Sequence, residues 1–389
     1  NKKLSKNLDL KIKTTYHRIC PDCFKLDINE NITMTKNIII SKDDYQNNIK
    51  YFSLKRNRSF NGNGFNIIVQ NWDEYPGLIK INDTYLEKSD ESTEFYPHIR
   101  NVKVFLENSY MSEGAGGIIQ ANNKFFIINN CSFIGNITGE NSGGIGGSNC
   151  GENGRILIKN CYSINNIYGS FSGGILGSHI ADNGICVIEE CYSIGDIVGK
   201  SSGGIVGSYF GINGKGVIKN SYSTGDIRAI FSGGISGSFT GQKGDVEIEN
   251  CYSSGELDFS TNIIGGICGY KSGEEGKCVL INTYSNIFNN ISISNGDSPL
   301  DGNKSISNIL DDDLDNNIWI FNNGLPIIKS FQYLPWINDI SSEKIYNSPK
   351  SISEFTQIEN INNLYPHYNN FSEYFEFDID GNITLLKNL

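Results

Sequence analysis

Three acidic residues share one position in a repeat: Asp196, Asp226 and Glu256 follow one another at intervals of 30 residues. Residues separated by one repeat unit lie side by side when the units stack, about 4.8 Å apart if the contact is a β-ladder. Two carboxylates about 5–5.5 Å apart are what a retaining glycosidase uses as acid and nucleophile. Asp196, Asp226 and Glu256 are therefore the candidate catalytic set of a polysaccharide-active enzyme. Asn136 and Asn166 hold the same position in the preceding units. The competing reading is an exposed polar edge on which Asn, Asp and Glu interchange. The uniformity of the repeat favours it, because a hydrolase concentrates non-repeating residues on one face.

Other chemistry is sparse. The four histidines, His17, His98, His179 and His367, are far apart, and none stands beside a nucleophile motif, so triad chemistry has little support. Cys20 and Cys23 form a single Cys-x-x-Cys with only His17 close by. A zinc site would need a second pair or more histidines; a local disulfide and two ordinary thiols stay open beside it. The run Asp311 to Asp315 is a poor calcium loop, since Asn316 and Asn322 stand where a Gly and a Glu are needed. No metal and no cofactor is expected.

The elements that would position these residues follow from two phrases. Ser-Gly-Gly-Ile-x-Gly-Ser begins at Ser142, Ser172, Ser202 and Ser232. Asn-Cys-Tyr-Ser or a near copy keeps step with it, with its second residue at Cys131, Cys161, Cys191, Ser221, Cys251 and, after an insertion of two, Thr283. A fixed period of this size means one structural unit repeated along an axis. No stretch of the unit has a 3.6-residue period and glycines interrupt it, which excludes helix. Thirty residues suit one turn of a three-sided coil with three short strands. The expected fold is all-β, a right-handed parallel β-helix.

Stacking converts each repeat position into a file. Cys131, Cys161, Cys191 and Cys251 read as buried free thiols, because Ser221 and Thr283 replace them with residues that packing tolerates and bridging does not. Asn130, Asn160, Asn220 and Asn250, with Glu190 between them, mark a corner where stacked amides bond to one another. Tyr162, Tyr192, Tyr222 and Tyr252 form an aromatic file, structural in the first reading and a sugar platform in the second. Ile175, Ile205, Ile235 and Ile267 point inward. The paired glycines either turn with positive φ or lie where two walls approach too closely for a Cβ. A phosphate-binding loop is disfavoured, since a strand follows rather than a helix.

The regular coils run from 108 to 290, within a β-helix of 59–290 that opens on the glycine corner of Phe60 to Val69. Asn108-Ser109-Tyr110 reads as an early copy of the second phrase. Residues 1–58 form an N-terminal segment, with Leu8, Leu10 and Ile12 alternating and Ile38-Ile39-Ile40 as a strand. Residues 291–389 form a cap and an appended element. Trp319 to Ile328 reads as strand, turn, strand, closing the open end of the stack against edge-to-edge pairing.

The bulk numbers agree with this class. Gly is 43 of 389 residues and charged residues are 19%, against about 7% and about 25% in ordinary domains. The net charge of −11 argues against a nucleic-acid partner and against adsorption to anionic lipid. No apolar run approaches the roughly 18 residues of a membrane span.

The alternation of Asn-Ser-Tyr-Ser-Thr-Gly-Asp-Ile (220–227) with Gly-Gly-Ile-Val-Gly (203–207) resembles the GLUG repeat. The tail from Ile318-Trp319-Ile320 to Gly324-Leu325-Pro326-Ile327 is similar to a segment that often follows such repeats. The resemblance covers about 180 residues, with Ile where the repeat usually has Leu. It implies a β-helix in a secreted or surface protein of bacteria or in a giant amoebal virus. The Asn-, Ile- and Lys-rich composition resembles the Mimivirus-like branch. The expectation is a non-enzymatic structural rod at the surface or in the shell of a virion, with other virion proteins, copies of itself or host glycans as partners. A bacterial adhesin and the acidic-wall enzyme are the alternatives.

Overall fold

The computed structural model describes residues 22–45, 52–55, 57–82, 96–256, 264–285, 303–305, 314–322, 325–331, 375–377 and 383–385. Leu8, Leu10, Ile12, Cys20, His17, His367 and Asp311 to Asp313 lie outside them. Within 1–338 the strands are β1 (Phe24–Leu26), β2 (Ile32–Met34), β3 (Ile38–Ser41), β4 (Phe52–Lys55), β5 (Ser59–Asn61), β6 (Asn66–Gln70), β7 (Ile79–Asn82), β8 (His98–Arg100), β9 (Lys103–Glu107), β10 (Phe125–Asn129), β11 (Ser132–Ile134) and β12 (Arg155–Lys159). They continue as β13 (Tyr162–Ile164), β14 (Ile185–Glu189), β15 (Tyr192–Ile194), β16 (Lys215–Lys219), β17 (Tyr222–Ser223), β18 (Asp245–Glu249), β19 (Tyr252–Ser253), β20 (Lys277–Ile281), β21 (Thr283–Ser285), β22 (Asn303–Ser305), β23 (Trp319–Asn322) and β24 (Leu325–Ile328). A separate unit, 339–389, holds the antiparallel pair β25 (Phe375–Phe377) and β26 (Ile383–Leu385).

The chain is all-β, and its strands stack as a parallel β-solenoid. One ten-stranded sheet runs β1-β2-β5-β8-β10-β12-β14-β16-β18-β20, the other β22-β21-β19-β17-β15-β13-β11-β9-β6-β3. Register advances by one repeat, with Ile158 beside Ile188 and Ile218, and Tyr192 beside Tyr222. Alternation sets the faces: β12, β14, β16 and β18 bury their second and fourth residues. Each fully buried Ile of such a file contributes about 1.5–3 kcal/mol.

Three expectations need correction. The parallel stack begins before residue 59, because β2 pairs with β5 and β3 with β6; within the two ten-stranded sheets only β1 is antiparallel, on β2. The early copy of the second phrase is Asn101-Val102-Lys103, not Asn108-Ser109-Tyr110, since Lys103 pairs with Ser132. Asn101 has φ 55° and Val102 is buried. The position demands a left-handed corner followed by a small buried residue, and Val satisfies it without Cys. Finally, the third side is a strand only in the first coils, where β4 pairs with β7. From the Ile79–Ile119 bridge onward it is reduced to single bridges, at the glycine phrase and at Ile137, Ile167, Ile197 and Ile227.

The glycine phrase explains that reduction. Residues 172–178 are all buried, so the segment folds inward as an inner wall. The close-approach reading of its glycines holds: a Cβ on Gly174 would collide with the Gly204 carbonyl oxygen and the Ser193 hydroxyl, while Gly174 has no positive φ. The serine that opens the phrase supplies the missing polar contacts. Ser142 N–H donates to Ser172 Oγ at 3.0 Å, Ser172 N–H to Ser202 Oγ at 3.1 Å and Ser202 N–H to Ser232 Oγ at 3.1 Å. Those hydroxyls donate in turn to Gly139, Gly169 and Gly199 carbonyls. Burying these groups without partners would cost about 1–3 kcal/mol each.

Candidate functional site: the acidic file and the tyrosine wall

The regular coils turn a left-handed corner between their two main strands. Asn130, Asn160, Glu190, Asn220 and Asn250 have φ of 54°, 52°, 51°, 48° and 52°, a conformation Asn tolerates better than most residues. The amides bond to one another only toward the ends: Asn130 Nδ2 donates to Asn101 Oδ1 at 2.7 Å, and Asn282 Nδ2 to Asn250 Oδ1 at 3.4 Å. Glu190 interrupts the ladder and takes Lys159 Nζ at 3.0 Å instead.

The next position carries the thiols. Cys131, Cys161, Cys191 and Cys251 are free and buried. Each donates to the carbonyl two residues back, at 3.3, 3.2, 3.1 and 3.2 Å. Ser221 does the same at 2.7 Å, which is why Ser substitutes there. Burial pushes the thiols of Cys161 and Cys191 well above their ordinary range and that of Cys251 up to about 12. Protonated at neutral pH, they are poor nucleophiles.

One residue further on, the tyrosines stack face to face. Tyr162, Tyr192, Tyr222 and Tyr252 have ring centroids 5.1, 5.1 and 4.9 Å apart, with planes within 7°. All four are buried, because the tail lies across them. Phe331 meets Tyr162 and Tyr192 edge-on at 5.7 and 4.8 Å. Trp319 sits 6.1 and 6.0 Å from Tyr222 and Tyr252. Tyr252 Oη donates to the Pro326 carbonyl at 2.7 Å, and Ser330 Oγ to Asn160 Oδ1 at 3.3 Å. The β23–β24 hairpin with its following turn is therefore a strap along the side wall, where the sequence reading expects an end cap. The physical reason is the apolar wall itself: a file of four aromatic rings offers more area to bury than a rung's edge. Tyr222 Oη and Trp319 Nε1 are buried with no hydrogen-bond partner among the described residues, so apolar contact, not polar bonding, seats Trp319.

The acidic file lies just past the tyrosine strand, and its members bond along the stack. Asn136 Oδ1 accepts Asn166 N–H at 3.2 Å, Asn166 Oδ1 accepts Asp196 N–H at 3.0 Å, Asp196 Oδ1 accepts Asp226 N–H at 3.2 Å, and Asp226 Oδ1 accepts Glu256 N–H at 2.9 Å. The structure thus brings Asp196, Asp226 and Glu256 into one file. Arg228 Nη2 lies 3.0 Å from Asp196 Oδ2 and 3.1 Å from Asp226 Oδ2. Partial burial raises the Asp196 carboxyl above its ordinary value, with Arg228 opposing. Glu256 is exposed and, among the described residues, forms no ion pair. Chemically the file is a row of acceptors with an arginine filling the space between two of its carboxylates. No cluster of His, Cys, Asp and Glu able to hold a metal occurs among the described residues.

One feature escapes the phrase-by-phrase reading. His179, Tyr209 and Phe239 form a second stacked file, with centroids 4.5 and 4.8 Å apart and φ of 53°, 61° and 58°. Their 30-residue spacing was the available signal. His179 is held below its ordinary pKa by burial. At the N-terminal end Cys23 is buried and disulfide-bonded, in keeping with the disulfide alternative for its Cys-x-x-Cys; Cys20 lies outside the described residues.

No protein-family model matches the chain, and no curated protein matches it. A solved structure of a candidate immunoglobulin A1 protease from Bacteroides ovatus is similar over 76% of this chain and 92% of its own, at 20% identity and a TM-score of 0.42. A likeness that weak carries no functional argument.

Proposed function

We propose that the chain is a non-enzymatic structural protein, a β-solenoid rod belonging to a particle shell or surface layer. The repeat resemblance suggests a giant-virus particle as its setting. Its partners in this reading are other particle proteins, copies of itself or host glycans. The observation that carries the reading is the fate of the reactive side chains. Asp196 and Asp226 each give one oxygen to the next coil's N–H and share Arg228 through the other. The thiols bond to their own corners, and the aromatic wall is covered by the chain's own tail. Groups committed to holding coils together are poor candidates for turnover.

The test is a variant with Asp196→Asn, Asp226→Asn and Glu256→Asn together. The expected result is no glycan cleavage by either protein and normal incorporation of the variant into particles. Hydrolysis by the unaltered protein that disappears in the variant would replace this reading with the acidic-wall enzyme. Proteomics of purified particles checks the setting, and a chain absent from them would refute it.

A further inference from the structure

Independently of that reading, we infer that Cys268 and Cys278 are a disulfide-forming pair that staples the inner wall to the outer sheet. Their sulfurs lie 3.7 Å apart. A disulfide needs about 2.05 Å, so the two sulfurs, already in contact, must close by about 1.7 Å to bond. The two come from different walls. Cys268 stands on the inward glycine segment, bridged to Ser236 of the preceding coil, and Cys278 lies in β20 beside Val246.

At these two register positions, among the described coils, cysteine stands on both walls in this coil alone. At the position of Cys268 the earlier coils have Gly146, Leu176, Val206 and Ser236; at the position of Cys278 they have Ile156, Cys186, Gly216 and Val246. Only the coil of Cys268 and Cys278 carries sulfur on both sides. In the coil before it, Ser236 and Thr240 fill the space with a hydroxyl pair. The thiol file behaves differently. Cys131, Cys161, Cys191 and Cys251 each spend the S–H on their own corner carbonyl, and they repeat as a packing position should. Cys23 is already disulfide-bonded, so such a bond is not foreign to the chain.

The oxidant is a low-molecular-weight disulfide such as oxidised glutathione. One cysteine thiolate attacks it, the glutathione sulfur–sulfur bond breaks, and a mixed disulfide forms as one glutathione thiolate leaves. The second cysteine thiolate attacks the protein sulfur of that bond and releases the other glutathione. The two thiol protons end on the departing thiolates; the cysteine pair loses two electrons and the glutathione disulfide gains them. Cys268 and Cys278 are 1% and 0% exposed, so the exchange takes place while this coil is open, during folding or local fraying. β20 is the last strand of its sheet among the described residues. The bond would hold it to the inner wall.

The experiment refolds the full chain with oxidised glutathione or with reductant, blocks free thiols with N-ethylmaleimide and digests with trypsin. Lys271 and Lys277 place the two cysteines on separate peptides. The expected result is one linked pair of peptides that reduction separates, with Cys191 and Cys251 blocked as free thiols throughout. Cys268→Ser restores the residue of the preceding coil and keeps the fold. In it, Cys278 should be recovered as a free thiol after oxidative refolding. Amide exchange across Lys277–Ile281 should slow about tenfold on oxidation of the unaltered chain and stay constant in the variant. Free thiols at both positions after oxidative refolding, or links to other cysteines, would overturn the pairing. Exchange unaffected by oxidation would overturn the staple.

Discussion

Tyr222 and Asp226 belong to the same coil and recur at the same period, yet they meet opposite surroundings. Tyr222 is fully buried between two other tyrosine rings and beneath Trp319. Asp226 is partly exposed beside Arg228. A repeat multiplies whatever it carries. Multiplied rings make an apolar wall that must be covered, so part of the chain is spent covering it. Multiplied carboxylates make a charged row, which solvent and a single arginine satisfy. The difference teaches that in a solenoid a file's chemistry decides where non-repeating segments dock.

Removing the cover should therefore have the largest effect. Trp319→Ala is expected to destabilise 1–338 by about 3–5 kcal/mol, the usual range for a buried Trp truncated to Ala, read by denaturant unfolding. A loss below about 1 kcal/mol would mean that the strap is not seated on the wall.

Alkaline titration sharpens the same contrast. Burial holds the Tyr162 phenol up to about 12 and raises those of Tyr222 and Tyr252 as well. A phenol whose folded pKa is raised favours the folded state fully below its unfolded value of roughly 10. That contribution is lost as pH climbs toward the folded value. Stability should thus be flat up to about pH 10 from this source and fall between about 10 and 12. Phenolate absorbance of the wall should appear only with unfolding. Wall tyrosines that ionise near pH 10 in the folded chain would contradict the burial.

The acidic file should respond least. Asn already occupies its position at Asn136 and Asn166, and Asn166 Oδ1 receives Asp196 N–H as a carboxylate would. Asp196→Asn should change stability by no more than about 0.5 kcal/mol. The raised Asp196 carboxyl fixes the sign of its pH term. The folded state holds the proton longer, so the term favours folding at low pH and fades as pH rises through the folded value. Asp196→Asn removes that fade. Asp196→Ala, which also removes the acceptor for Asp226 N–H, should cost about 1 kcal/mol. If Asn and Ala cost the same, the bond between coils contributes nothing.

Period, files and corner were legible because each coil restates them. Cys131, Cys161 and Cys191 name a buried small position, and Asn130, Asn160 and Asn220 name a left-handed one. Two things were hidden for physical reasons. Val102 fills the cysteine position with a different side chain of suitable size, so matching by letter placed the early copy at Asn108 instead of Asn101. The docking of Trp319 and Phe331 involves residues outside the repeat meeting coils far back in the chain, and no local pattern encodes such a partner. Aromatic content in the tail, facing an aromatic file elsewhere, was the one hint. Within the acidic file, the role of Arg228 was also out of reach of spacing, since it occurs in one coil only.

The most direct test of the account is a crosslink in the double variant Asn160→Cys, Ser330→Cys, at two positions whose native side chains touch at 3.3 Å. A strap lying along the side wall predicts rapid formation of a disulfide between positions 160 and 330 in the folded double variant under mild oxidation. An uncrosslinked variant whose introduced thiol at position 330 instead links to a cysteine introduced in place of Asn282 would put the tail over the far coils as a cap, and would contradict the side-wall strap.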